Sequence, residues 1–373
     1  MAKKLILLSL ALTIILFSSI VIFGSEAAAA TEPETENATD VIETENTAEA
    51  VWGRYFKKNI IINGERIVNH NLQYALYTYN DALYTPLTPE LGEIYGVAFA
   101  MDWENGVLRL AKAPVARQNI STNWLKNERI DALLTVIAEA DVQVYATVAE
   151  MQTRAAAGRM ELNGLPLLTI DGRVYIPLRA FADSGLFNWD IHFDGYYGIC
   201  ISTIDGIPAE TYWNEQESME NRGLVAYMRH VNAGITAAYG QELLFSFKTA
   251  GEVFGVDPKL IMAIAQKESK FNTFAVGPGG AAGMMQVMPA TGVAYGLSSE
   301  QLKNHRIAIN FASMYIGQRL VAYNGDQVSA LSAYNQGSTR VNRGRFTTGY
   351  ANSVLALYHN MSNFLIERGY IAE

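Results

Sequence analysis

The sequence predicts an α+β multidomain protein in which a duplicated β-rich N-terminal module precedes a mainly α C-terminal domain. Three observations predict this. Short alternating apolar runs are broken by Asn-Gly and Asp-Gly over residues 51–205, two similar segments recur within that region, and helical periodicity dominates from residue 241 onward. A chain of 373 residues is long enough for two domains of ordinary size.

The N-terminus has the pattern of an export signal. Lys3 and Lys4 precede an apolar run over residues 5–24, and four alanines follow at 27–30. This pattern predicts a signal peptide over residues 1–30, and therefore an exported protein that is extracellular or associated with the cell wall or membrane. The apolar run also has the length of a spanning helix, so an uncleaved anchor is the alternative and the predicted route of membrane contact.

A spacer and a β-rich region come next. Residues 31–50 contain seven acids and no basic residue, which predicts a disordered acidic spacer. In residues 51–205, the turn Asn63-Gly64 is repeated at Asn163-Gly164, and residues 81–87 are echoed by 172–178. At these residues the region resembles the copper amine oxidase N-terminal-like stalk domain. The resemblance implies either a wall-associated spacer or a glycan-binding module.

No metal, cofactor or disulfide is predicted. His70 and His192 lack the spacing of metal ligands, and no glycine-rich motif of a phosphate-binding loop precedes a helix. Neither a nucleotide nor a nucleic acid is therefore a predicted partner. Cys200 is the only cysteine and lies in an alternating apolar stretch, which predicts a buried strand cysteine.

The helical part carries the candidate chemistry. Residues 206–240 read as a helical connector, and residues 241–373 as the catalytic domain. A helix is predicted to begin at Asp257-Pro258, with Asp as its N-cap. Ile261, Ile264 and Glu268 are spaced at i, i+3 and i+7, which places Glu268 on the same face of this helix as the two isoleucines. A partly buried carboxyl has a raised pKa, as a general acid requires. Considered alone, this helix leaves a second interpretation open, in which Glu268 points into solvent.

Four ordered motifs decide between these alternatives. They are Glu268-Ser269, the run over residues 280–289 that includes Met284-Met285-Gln286, the segment over 333–337 that includes Tyr334-Asn335, and Tyr350 with Val354. Together they resemble the soluble-type lytic transglycosylases, lysozyme-like relatives of goose-type lysozymes. The resemblance implies a lysozyme-like fold over residues 241–373, Glu268 as the catalytic residue, and the following substrate-binding residues: Ser269, Gly283, Met284, Met285, Gln286, Tyr334, Asn335 and Tyr350.

Each motif also has a physical interpretation. The glycine-rich loop around residues 277–280 needs positive φ angles and allows a sugar to approach the backbone. Gln286 offers an amide to an N-acetyl group or a sugar hydroxyl. One of Met284 and Met285 is expected to contact sugar faces and the other to pack in the core. One departure from the family is Gly277, where a serine is common.

Acidic residues are scarce around the predicted site. Between Ser269 and Ile366 the only carboxylates are Glu300 and Asp326, and both have the pattern of helix-start residues. A glycosidase with two carboxylates needs a second one beside the bond, so a single acid/base is predicted. The resemblance implies cleavage between N-acetylmuramic acid and N-acetylglucosamine with 1,6-anhydro ends.

The predicted partner is the glycan strand of peptidoglycan. Residues 242–373 carry eleven basic and eight acidic residues, a formal charge of +3 within a chain of −9. Two alternatives to the transglycosylase remain at this point. One is a lysozyme-type muramidase that hydrolyses the same bond, and the other is a non-catalytic wall-binding protein, which Gly277 favours.

Overall fold

The computed structural model describes residues 49–116, 131–138, 140–155 and 157–372. The predicted signal, and the predicted spacer up to residue 48, lie outside the described residues. The described residues belong to one compact unit. None of the helices in the described ranges combines the length and the apolar character needed to span a membrane.

The β-rich region consists of short strands and short helices. Its strands are β1 (Ala50–Tyr55), β2 (Asn59–Ile62), β3 (Glu65–Ile67), β4 (Tyr77–Tyr79), β5 (Ala82–Pro86), β6 (Val97–Asp102), β7 (Val107–Lys112), β8 (Ala132–Ile137), β9 (Asp141–Tyr145), β10 (Gly158–Arg159), β11 (Leu167–Ile170), β12 (Arg173–Pro177), β13 (Asp190–Asp194) and β14 (Gly198–Ser202). Its helices are α1 (Pro89–Tyr95), α2 (Val148–Thr153) and α3 (Arg179–Asp183).

The strand pairings repeat between the two halves of this region. A closed barrel has the order β1-β4-β5-β12-β11-β8, so each half contributes three strands. Two four-stranded sheets flank it, in the orders β10-β9-β7-β6 and β13-β14-β2-β3. In the first, β9 runs parallel to β7, and in the second, β2 runs parallel to β14. Each of these two sheets therefore contains two strands from the first half of the region and two from the second half.

Local sequence explains several of these elements. Asn63 and Gly64 have φ of 52° and 82°, and Asn163 and Gly164 have 53° and 77°, as Asn-Gly turns require. Every residue of β14 is buried, and Cys200 within it is fully buried. The prediction of a buried strand cysteine is therefore confirmed, and burial raises the pKa of the Cys200 thiol to about 12.

The helical region follows. Its helices are α4 (Glu215–Val231), α5 (Ala237–Phe254), α6 (Pro258–Ser269), α7 (Pro289–Ala294), α8 (His305–Ala322), α9 (Gln327–Gln336), α10 (Ser338–Asn342) and α11 (Gly349–Glu367). The proposed boundary between residues 240 and 241 lies inside α5. Apolar residues of α4 share one core with those of α5, α6, α8 and α11, so the predicted connector contributes to that core.

Polar contacts join the β-rich and helical regions. The Nζ atom of Lys57 donates to the Oγ atom of Ser246 at 3.0 Å. Arg306 at the start of α8 forms ion pairs with Asp131 at 3.2 Å and with Glu242 at 2.7 Å. These contacts join α5 and α8 to the segment after β1 and to the start of β8.

Candidate active site

Helix α6 presents Glu268 at its C-terminal end. The side chain of Asp257 accepts from the backbone N–H of Lys259, and Pro258 is the first helical residue, so the predicted helix start is confirmed. Ile261, Ile264 and Ala265 are fully buried in the core. Glu268, one turn further on, is half-buried.

The end of α6 is defined by two residues with left-handed backbone angles. Lys270 and Phe271 have φ of 52° and 62°, and the Phe271 side chain is buried. Residues other than glycine adopt such angles only when their surroundings hold them there. The buried Phe271 ring anchors this turn, so the position of Glu268 is fixed by packing.

Tyr350 is the direct partner of Glu268. Its hydroxyl donates to the Oε1 atom of Glu268 at 2.5 Å from the first turn of α11. Burial raises the pKa of the Glu268 carboxyl, while the Tyr350 hydrogen bond and the charge of Lys267 partly lower it, with a net rise. Glu268 therefore holds a proton at a higher pH than an ordinary glutamate does.

Tyr334 lies behind this pair. Its ring stacks on that of Tyr350 at 6.4 Å between centroids and 12° between planes, and its hydroxyl donates to the Met285 carbonyl at 3.2 Å. Burial, and then the charge of Glu268, raise the pKa of Tyr334. Tyr334 therefore lies next to the Glu268–Tyr350 pair through its contact with Tyr350. Asn335, the next residue, is exposed.

Ser269 connects α6 to the following loop. Its hydroxyl donates to the Met284 carbonyl at 2.7 Å and accepts from the Asn272 N–H at 3.0 Å. We expected this side chain to bind substrate, but its hydroxyl is engaged within the protein. These two hydrogen bonds hold the backbone of Met284 and of Asn272 against the end of α6.

The loop after α6 folds back on itself through isolated bridges between Val276 and Ala282 and between Ala282 and Val287. Gly279 and Gly280 have φ of 69° and 79°, as the sequence predicts. Gly283 also has a positive φ of 74°, but a Cβ there would lie 1.8 Å from the Leu302 carbonyl oxygen. Glycine is therefore required at position 283 by the close packing of its backbone against Leu302.

Both methionines of the predicted sugar-binding pair are fully buried. We expected one of Met284 and Met285 to face the substrate, and this expectation is wrong for the side chains in this structure. Met288 is 47% exposed and lies against Gly279, where an added Cβ would be 3.0 Å from the terminal methyl of Met288. The exposed methionine of this segment, which sequence reasoning missed, is therefore Met288.

Gln286 adopts an unusual backbone angle, with φ of 47°. Its Nε2 atom donates to the carbonyls of Ala275 at 3.2 Å and Gly283 at 2.9 Å. A Cβ added at Gly277 would lie 2.1 Å from its Oε1 atom. The amide oxygen of Gln286 thus covers the position where the family commonly has a serine side chain.

The two other carboxylates of this region are engaged locally. Asp326 caps α9 by accepting from the Val328 N–H at 3.0 Å, which confirms its predicted helix-start role. Glu300 is exposed and pairs with Lys303 at 2.8 Å. The contacts described for Glu268 include neither of them. The arrangement can therefore deliver and take back a proton at one carboxyl group.

The comparisons with known proteins concern this same part of the chain. Residues 245–352 match the Transglycosylase SLT domain. That segment contains Glu268, Tyr334 and Tyr350, together with the rest of the predicted site.

Two curated relatives carry similar names. The chain is 34% identical over 100 residues to a peptidoglycan transglycosylase, gp16, of Escherichia phage T7, covering 26% of this chain and 8% of that protein. It is 32% identical over 110 residues to a transglycosylase of Enterobacteria phage PRD1, covering 28% of this chain and 39% of that protein. The chain thus spans well under half the length of either relative.

Solved structures with partial likeness include two enzymes. One is the 70 kDa soluble lytic transglycosylase of Escherichia coli, with a TM-score of 0.31, 23% identity, and coverage of 42% of this chain and 34% of that one. The other is an inactive mutant of the lytic transglycosylase Slt of Pseudomonas aeruginosa, with a TM-score of 0.30, 21% identity, and coverage of 44% and 32%.

Proposed function

We propose that this chain is a peptidoglycan lytic transglycosylase in which Glu268 acts alone as acid and then as base. One observation carries the proposal. The Glu268 carboxyl, in the segment that matches the Transglycosylase SLT domain, is half-buried, has a raised pKa and accepts a hydrogen bond from Tyr350. A carboxyl that stays protonated closer to neutral pH is suited to general acid catalysis.

The proposed reaction needs one proton donor and no water. Glu268 protonates the oxygen between N-acetylmuramic acid and N-acetylglucosamine, the C1–O bond breaks, and the substrate's N-acetyl oxygen stabilises the cation at C1. The ionised Glu268 then takes the proton of the C6 hydroxyl, whose oxygen bonds to C1 and closes the 1,6-anhydro ring. The Tyr350 hydroxyl supports the intervening carboxylate.

The remaining site residues have two proposed roles. One group of residues would contact the glycan. Asn335 and Met288 are exposed, and the described hydrogen bonds of Gln286 use its Nε2 atom and not its amide oxygen. Ser269, Gly283, Met284 and Met285 would act from behind, by holding the loop against α6 and Tyr334. In this proposal, fewer side chains contact the glycan than the family resemblance implies.

Product analysis tests the reaction. Purified peptidoglycan is digested and the released muropeptides are weighed, with the Glu268→Gln protein as control. We expect products that are lighter than the reducing muropeptides by one water. These products should also resist reduction by borohydride. Reducing ends would identify a lysozyme-type muramidase, and binding to insoluble wall without any soluble product would identify a non-catalytic wall protein.

We further propose that the protein is exported through residues 1–30, with residues 31–50 as an acidic spacer and residues 51–205 as a stalk-type module that positions the enzyme. The pattern of basic residues, apolar run and alanines supports export. The repeated strand pairings support a duplicated module. Mass determination of the N-terminus of the protein recovered from cells distinguishes a cleaved signal from an uncleaved anchor.

A further inference from the structure

Three arginines lie on a loop beside the candidate site. We call residues 337–348, which contain α10, the arginine loop; it carries Arg340, Arg343 and Arg345. It leaves α9 directly after Asn335 and Gln336, and it enters α11 just before Tyr350. Arg345 is five residues from Tyr350, so its backbone lies within roughly 18 Å of the residue that contacts Glu268.

The charges of this loop are not balanced by neighbouring acids. All three arginines are exposed, and between Gln327 and Ile366 the sequence contains no aspartate or glutamate. Within the described part of the chain, none of the three has a carboxylate partner. Other exposed arginines do have one: Arg66 lies 3.2 Å from Glu252, and Arg159 lies 2.8 Å from Asp141.

Hydrogen bonds within the arginine loop, and from Gln336 and Tyr323 outside it, hold the loop in place. The side chain of Gln336 donates to the Thr347 carbonyl at 2.7 Å and accepts from the Thr347 N–H at 3.1 Å. The Tyr323 hydroxyl donates to Asn342 at 2.8 Å, and the Arg345 N–H donates to the Arg340 carbonyl at 2.9 Å. A loop fixed in this way loses little conformational entropy when an anion binds to it.

We propose that the arginine loop binds the carboxylates of the stem peptide carried by the muramic acid next to the scissile bond. This proposal rests on the proposed function. A guanidinium group matches a carboxylate in two parallel hydrogen bonds, and an exposed, unpaired arginine has these donors available. The substrate strand places peptide carboxylates beside every muramic acid, so the loop would favour strands that still carry their peptides.

Two soluble substrates test the proposal: glycan strands with intact stem peptides, and the same strands after an amidase has removed the peptides. The measured quantity is the ratio of kcat/KM on the first to that on the second. We expect the R340Q/R343Q/R345Q protein to lower this ratio by about tenfold, because each exposed charge pair contributes modestly. The preference of the unmodified protein should weaken as salt is added.

A matched control carries the same change of charge elsewhere. The R154Q/R179Q/R222Q protein removes three exposed arginines outside the loop and should leave the ratio unchanged. An unmodified protein that cleaves both strands equally would overturn the proposal, as would a loop variant with an unchanged ratio. Equal losses on both strands would also overturn it, by pointing to another anionic group. Failure of the unmodified protein to cleave either strand would instead contradict the proposed function.

Discussion

Two opposing influences act on the carboxyl of Glu268. Burial favours its neutral form, whereas the Tyr350 hydroxyl and the charge of Lys267 favour its ionised form, and burial is the larger influence. The reaction proposed above uses both forms in turn. The environment of this one residue therefore suits a group that must first give a proton away and then recover one.

Tyr350→Phe should change the pH dependence of activity. Removing the hydroxyl removes a hydrogen bond that lowers the pKa of Glu268, so that pKa rises further. The alkaline limb of the kcat/KM profile, where the acid loses its proton, should move to higher pH. Tyr358→Phe is the matched control, because Tyr358 lies on the same helix and donates to Asp257 instead. A limb that stays in place or moves to lower pH would contradict this account.

Glu268→Gln should stabilise the fold at neutral pH. Because the pKa of Glu268 in the folded protein is above its ordinary value of 4.5, the folded state binds this proton more tightly than the unfolded chain. The residue therefore lowers the unfolding free energy increasingly as pH rises from 4.5 through the folded pKa. Urea titrations at pH 7 should give a larger unfolding free energy for the variant than for the unmodified protein. This difference should disappear well below pH 4.5. An equal gain at both pH values would rule out this titration as the cause.

At the scale of elements, the loop of residues 276–287 depends on one close approach. Gly283 combines a positive φ of 74° with backbone packed against the Leu302 carbonyl. The neighbouring residues Met284 and Met285 then receive the hydrogen bonds of Ser269 and Tyr334 on their carbonyls. The contact at Gly283 thus sets the distance between this loop and the segment around Leu302, and the two hydrogen bonds hold the loop to Ser269 and Tyr334.

Gly283→Ala should destabilise the protein far more than Gly296→Ala. Both glycines have a similar φ, 74° and 76°, but a Cβ at Gly296 meets nothing within 4 Å. The Gly296 change should cost about 1 kcal/mol for the left-handed backbone alone. The Gly283 change adds a clash with backbone and should cost about 3 kcal/mol or more. Equal losses in denaturant titrations would show that the close approach to Leu302 is unimportant.

Local patterns predicted the elements that local forces determine. The start of α6 follows from Asp257 and Pro258, and the paired turns follow from their Asn-Gly sequences. The burial of both methionines could not be predicted in this way. Both methionines share one core with residues of α8, α9 and α11, which come from distant parts of the chain. Two adjacent apolar residues do not indicate which of them such segments will bury.

At the scale of the whole molecule, a cluster of charges joins the β-rich and helical regions. Lys57, buried between them, lies 4.0 Å from Glu242, which also pairs with Arg306. Burial, and then the charge of Arg306, lower the pKa of Lys57 to about 7. None of this was predicted from sequence, because the partners come from positions far apart and no pattern along the chain connects them.

Lys57→Met should change how stability depends on pH. Because the pKa of Lys57 is about 7 when folded and 10.5 ordinarily, the unfolded chain binds more protons between these values, so this residue's contribution to stability rises with pH. The unfolding free energy of the unmodified protein, relative to the variant, should therefore increase from pH 7 to pH 10. The exposed Lys270→Met is the control. A constant difference across this range would contradict the assignment.

The central claim is that one carboxyl group performs the chemistry. The most direct test is kcat/KM on purified peptidoglycan for three single variants: Glu268→Gln, Glu300→Gln and Asp326→Asn. The last two remove the other carboxylates between Ser269 and Ile366, and asparagine still caps a helix. We expect Glu268→Gln to lose about a thousandfold or more in activity, and the other two to stay within about threefold of the unmodified protein. An active Glu268→Gln protein, or an equally inactive Glu300→Gln or Asp326→Asn protein, would contradict the claim.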